Sequence, residues 1–177
     1  MSKRYVICLT AANRTGILAA VSTALSELGG DIDEIGHAAV TGFFVMIMAA
    51  DFPGHRDAEV IVSHLEGVCQ LFGATVILKD PECEFVADEP LAGGEQYTLT
   101  LTGHDAPGIV ARISGRLARE AIDITELRGA RHTDGLSFTL VMELAIPSGS
   151  DMASLQKDLE ELGASLGLTT QLARTVA

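Results

Sequence analysis

The sequence predicts an α+β chain in which one βαββαβ unit is written twice, each copy a four-stranded antiparallel sheet with two helices on one face. Three observations predict it: a motif that recurs at a fixed offset, alternating strand-like and helical periodicity within each copy, and turn residues where the period changes. Asn13-Arg-Thr-Gly-Ile-Leu-Ala-Ala-Val-Ser realigns with Asp105-Ala-Pro-Gly-Ile-Val-Ala-Arg-Ile-Ser, 92 residues further on (13 to 105). The same offset carries Tyr5 to Tyr97, Leu9 to Leu101, Leu25 to Leu117, and Asp31-Ile-Asp-Glu-Ile to Asp123-Ile-Thr-Glu-Leu. Coincidence does not produce such a run, and a half-length unit suits a small independent domain.

The elements follow in order. Tyr97-Thr-Leu-Thr-Leu-Thr alternates strictly, as a half-buried strand does, and the run from Tyr5 to Ala12 is its counterpart. Ile17, Val21, Leu25 and Leu28 then keep helical spacing, with Gly29-Gly30 as the stop. Ile109, Ile113 and Leu117 do the same in copy two, where Pro107 suits a first helical position. Two strand-like runs come next, Ile32 to Val40 turning at Thr41-Gly42 into Phe43 to Ala50. In copy two, Ile124 to Arg131 turns at Asp134-Gly135 into Leu136 to Ile146. Pro53-Gly54 and Pro147-Ser-Gly break the chain before a second helix, whose apolar stripe in copy two is Met152, Leu155, Leu159, Leu162 and Leu166. A last strand closes each copy, Thr75 to Lys79 and Thr169 to Arg174. Right-handed crossovers give the ferredoxin-like arrangement. The expected domains are residues 1–80 and 96–177. Residues 81–95, rich in acids, proline and glycine and without Lys or Arg, are expected as a linker.

Composition narrows function. Hydrophobic residues make up 47% of the 177, with no Trp, so the core is aliphatic. Twenty-four acidic against 12 basic residues give a net charge of −12, which repels phosphate backbones and argues against direct nucleic-acid binding. No apolar run reaches the roughly 18 residues of a membrane span, so a soluble, cytoplasmic protein with no membrane partner is expected. Cys8, Cys69 and Cys83 are widely spaced and form no CxxC pair, which suggests reduced thiols and neither a disulfide framework nor a metal site. The five histidines lack metal-ligand spacing. No phosphate loop, nucleophile elbow or Ser/His/Asp pattern appears, so no catalytic residue, cofactor or enzymatic activity is expected.

The strand ending Asp105-Ala-Pro-Gly-Ile-Val, followed by a helix and the Asp123-Ile turn, resembles the ACT domain family. Copy one matches less closely, with Asn13 for Asp and Thr15 for Pro, although Leu28-Gly-Gly-Asp-Ile fits the turn. Two such units with nothing attached resemble the glycine cleavage repressor family. That resemblance implies a regulator of amino-acid metabolism that acts on a DNA-binding activator through protein contacts and forms a homodimer. It also implies a small amino acid bound near the first strand–helix corner. These corners are Asn13, Arg14, Thr15, Gly16 and Ile17 in copy one and Asp105, Ala106, Pro107, Gly108 and Ile109 in copy two.

Physical chemistry points to the same corners. A helix start offers unpaired N–H groups and a positive dipole end to a carboxylate, and Gly16 and Gly108 let backbone approach a ligand. Asp31 and Asp123, beyond the helix, are candidates to accept bonds from an ammonium group. Structural roles stand beside these: Asn13 and Asp105 as acceptors within the tight turn, and the glycines as turn-formers. Arg112, Arg116 and Arg119 share one helix face, and Arg128 and Arg131 add charge on the next strand. A solvated face is the plain reading of the arginines, and docking of an acidic partner the sharper one.

The sheet face away from the helices differs between copies. Copy two places Thr98, Thr100, Ser137, Thr139 and Glu143 there, with Val141 the one large apolar side chain. The expected counterparts in copy one are Val6, Cys8, Thr10, Phe44, Met46, Met48 and Ala50, an apolar patch that needs a protein cover. Two rival functions remain open at this stage. One is a regulatory subunit or fragment of an amino-acid or formyltetrahydrofolate enzyme; the other is an adaptor that binds no small molecule.

Overall fold

A computed structural model describes residues 2–84 and 94–175, so most of the expected linker lies outside the described residues. The chain divides into two compact units, residues 1–87 and 88–177. In unit 1 the order is β1 (Ser2–Ala12), α1 (Ile17–Glu27), β2 (Asp31–Val40), β3 (Phe43–Pro53), α2 (Ala58–Val68) and β4 (Thr75–Lys79), with a short helix α3 (Pro81–Glu84) after it. Unit 2 repeats it as β5 (Glu95–His104), α4 (Ile109–Ala118), β6 (Asp123–Arg131), β7 (Ser137–Ile146), α5 (Met152–Ser165) and β8 (Leu168–Arg174). Both sheets are antiparallel, with strand orders β2-β3-β1-β4 and β6-β7-β5-β8, the ferredoxin-like α+β fold the repeat predicts. Even an irregularity is duplicated: register shifts between Ile32 and Glu34 in β2 and between Ile124 and Glu126 in β6, 92 residues apart (32 to 124).

Each core lies between sheet and helices. Ile7 and Leu9 from β1 meet Val21 and Leu25 from α1 and Ile61 and Leu65 from α2. Leu99, Leu101, Ile113, Leu117, Leu155 and Leu159 repeat the pattern in unit 2. These aliphatic side chains are completely or almost completely removed from water, which is the main force closing each unit.

The structure corrects the register of β3. Phe44, Met46, Met48 and Ala50 are core residues, exposed by 4% or less, and pack under the helices. Phe43, Val45 and Ile47 occupy the outer face instead, exposed by 63, 42 and 54%, beside Ile77 of β4 and the half-buried Val6 and Cys8 of β1. The cause is the hairpin. Val40 and Phe43 are joined by the two residues Thr41 and Gly42, both at positive φ (52° and 83°). The β6–β7 hairpin is two residues longer, and Asp134 ties it by accepting backbone N–H bonds from Leu136 and Ser137 at 2.9 Å. The hydrogen bond from the Ser137 hydroxyl, followed by these two backbone bonds, lowers the Asp134 pKa to about 2. Beyond the hairpin the copies therefore align at 94, not 92 (Phe43 to Ser137), and a one-residue slip exchanges the two faces of a strand. The apolar outer face of unit 1 persists, built from the alternate residues.

Helix ends show the same divergence. After α1, Gly29 donates to the Ser26 carbonyl and Gly30 to that of Leu25, with Gly29 at φ 75°. After α4, Ala121 and Ile122 make the same two bonds to Ala118 and Leu117, but Ala121 holds φ 53°. An alanine in the left-handed region is strained by about 1 kcal/mol. Ala121→Gly is accordingly expected to raise the stability of unit 2 by up to about 1 kcal/mol, read by urea unfolding, with the gain reduced by glycine's freedom in the unfolded chain.

Candidate functional site

The first strand–helix corner of each unit is a tight turn. Ile17 donates to the Arg14 carbonyl at 3.2 Å across Thr15 and Gly16, and Gly16 sits at φ 99°, ψ −11°. That is a type II turn, which demands glycine at its third position and favours proline at its second. Pro107-Gly108 satisfies both preferences, with Gly108 at φ 85°, ψ 4°. Pro107 thus belongs to the turn and α4 starts at Ile109, two residues later than the sequence suggests. No side chain caps α1 or α4. Asn13 and Asp105 are fixed through backbone instead, donating to Gly42 at 2.9 Å and to Leu136 at 3.0 Å, which ties each corner to the neighbouring hairpin.

In unit 2 this tie brings the corner against the end of β6 and opens a cleft of about 590 Å³. Asp105, Ala106, Pro107, Gly108, Ile109 and Val110 form one wall; Leu127, Gly129, Ala130 and Arg131 of β6, with Phe138 and Leu140 of β7, form the other. The Asp105 carboxylate and the Arg131 guanidinium are ion-paired on its rim, both partly exposed. The cleft therefore has a largely apolar lining and one positive and one negative group in contact, the chemical complement of a zwitterion with an apolar side chain.

Unit 1 lacks these features. The position of Gly129 is held by His37 (92 residues earlier), whose ring stacks on Phe44 at 5.6 Å and 22°, and the position of Arg131 is held by Ala39. Asn13, Arg14, Thr15, Gly16 and Ile17 thus form a corner of the same shape without the charge pair. Asp31 and Asp123 are not near either corner within their own unit. Each helix carries the chain back over the sheet, so Asp31 emerges level with Arg4, eight residues along the strands from Ala12 and roughly 26 Å away. Asp123 is placed likewise, level with Gln96.

Arg131 is the site residue with the weakest signal in the sequence. In sequence it is one of several strand charges, because its place beside Asp105 depends on the register of β6. The outer arginines are also less uniform than they read: Arg116 pairs with Glu120 at 2.7 Å and with Asp158 at 2.5 Å. Among the described residues no three His, Cys, Asp or Glu side chains gather as a metal site requires, and no helix is long and apolar enough to cross a membrane.

Comparison with known proteins agrees with the fold. Residues 95–173 match the family model for the ACT domain. A UPF0237 protein of Methanococcus maripaludis is 35% identical over 75 residues, 42% of this chain and 81% of that protein. Two solved structures are similar over both units. A protein of unknown function from Galdieria sulphuraria superposes with a TM-score of 0.78 at 22% identity, covering 99% of this chain and all of that one. A protein provisionally assigned as a glycine cleavage system transcriptional repressor superposes at 0.71 with 15% identity, covering 100 and 99%. At these identities the likeness is one of fold.

Proposed function

The chain belongs to the ACT domain family, a regulatory family whose members bind small amino acids and often dimerise, and from that premise we propose that it senses an amino acid and passes the signal on through protein contacts. The observation that carries the reading is the cleft of unit 2, with the Asp105–Arg131 pair on its rim and Leu127, Phe138 and Leu140 inside. An α-amino acid would exchange that pair for two new ones, its carboxylate on Arg131 and its ammonium group on Asp105. The apolar lining favours a ligand with an aliphatic or aromatic side chain. Asn13, Gly16, Gly108 and the other corner residues would shape the loops, while Asp31 and Asp123 lie at the far end of their own sheets and take no part in this cleft.

The signalling surface in this reading is the outer face of unit 1, where Phe43, Val45, Ile47 and Ile77 stand exposed. A second copy or a DNA-binding activator would cover it. The chain's charge of −12 favours a protein target over DNA itself, and a cytoplasmic, non-enzymatic regulator of amino-acid metabolism fits every part of this reading.

Isothermal titration of the full chain with the common amino acids tests it. An apolar amino acid is expected to bind, and Arg131→Ala to weaken it at least tenfold, about 1.4 kcal/mol. Binding by none of them would leave the chain a ligand-free adaptor.

A further inference from the structure

A second concavity in unit 2, of about 340 Å³, lies between the two helices and is lined by Ala111, Arg112, Gly115, Arg116 and Arg119 of the α4 segment and Leu162 of α5. The three arginines sit at i, i+4 and i+7, so helical geometry turns them to one face. Arg116 is anchored by Glu120 and Asp158, which fixes its guanidinium at the edge of the groove. Arg112 has only a 3.5 Å contact to the Ser165 hydroxyl, and Arg119 has no carboxylate partner among the described residues. Acids outnumber bases two to one in this chain, so two arginines on one helix face without a carboxylate partner among the described residues do not reflect a shortage of acids.

Two further observations set the groove apart. Gly115 lies in mid-helix without a positive φ, and a Cβ built there meets nothing within 4 Å, so neither backbone strain nor close packing calls for glycine. Glycine there weakens the helix, and what it leaves is open space between the arginines. In unit 1 the equivalent positions are Ala20, Thr23, Ala24 and Glu27; Ala24 is fully buried and Glu27 pairs with His64 at 2.8 Å. The three arginines and the mid-helix glycine belong to copy two alone.

We propose that this groove is an oxyanion site that takes the phosphate group of a small metabolite, gripped by Arg112 and Arg119 and bounded by Arg116. Guanidinium forks match phosphate oxygens, and a phosphate offers three guanidinium groups on one helix face more oxygens and more charge than a planar carboxylate does. The volume falls at the lower end of small-molecule sites and leaves room for an organic group beyond the phosphate.

Titration of inorganic phosphate into the full chain in a chloride buffer, followed by amide NMR shifts, tests the proposal. Saturable binding is expected, weakened at least tenfold in the double variant Arg112→Gln with Arg119→Gln and likewise in Gly115→Leu. Gly115→Leu keeps all three arginines, improves helix propensity and fills the groove, so its melting temperature should not fall. Arg131→Ala should leave phosphate binding unchanged, which separates this site from the amino-acid cleft. Binding that does not saturate, or that survives either groove variant, overturns the proposal. So does arginine-dependent binding of a polyglutamate peptide without binding of phosphate, which would make the groove a docking surface for an acidic protein.

Discussion

Met46→Glu is expected to unfold unit 1, whereas Ile47→Glu, its immediate neighbour in the chain, leaves the melting temperature within a few degrees of wild type. Met46 is 1% exposed among Ile7, Leu9 and the helices, and no basic group lies in that core. A carboxylate there must either stay charged in an apolar interior or take up a proton, at a cost on the order of 4 kcal/mol or more. That is most of the stability of a domain of this size. Ile47 is 54% exposed on the opposite face, where substitution costs little in the isolated chain. Thermal unfolding of both variants decides the register, since a strand slipped by one residue would reverse the two outcomes. Sedimentation of Ile47→Glu adds a second reading: if a second copy covers this face, the variant should sediment as a smaller species.

Gly103→Ala should destabilise unit 2 by about 3 kcal/mol, a large effect for one methyl group. A Cβ on Gly103 would stand 2.6 Å from the Gly167 carbonyl oxygen, 2.8 Å from Leu168 Cδ2 and 3.1 Å from Leu168 Cα. Two of these three atoms are backbone on the neighbouring strand's start and cannot swing aside. Unit 1 solves the same contact the other way round, with Ala11 in place of Gly103 and Ala74 in place of Leu168. Volume has been exchanged across the junction, so adding it on one side alone overpacks the site. Urea unfolding of Gly103→Ala, and of Gly103→Ala with Leu168→Ala, measures this; the double variant should recover part of the loss.

Much of this architecture was legible in the sequence because duplication supplies its own control. Every helix stripe and nearly every strand can be checked against its copy, and Pro-Gly, Gly-Gly and Asp-Gly mark the turns. What could not be seen was anything set by a count of residues in a hairpin. Two extra residues between β6 and β7 move the alignment from 92 to 94, and Phe44, Met46 and Met48 pass from surface to core on that difference. Asp31 and Asp123 lie close to the corners in sequence, just beyond the same helix; an α-helix carries the chain to the far end of the sheet, and sequence proximity is lost there. The role of Arg131 arises from cross-strand register and from the gap at Gly129 where unit 1 has His37, and neither has a local signature.

The measurement closest to the central claim is the map of amide chemical-shift changes when a saturating apolar amino acid is added to the full-length chain. Changes are expected to concentrate at residues 105–110, 127–131 and 138–140, to be absent from the corner at residues 13–17 and to be abolished by Arg131→Ala. Changes centred on the unit 1 corner, or none with any amino acid, would contradict it.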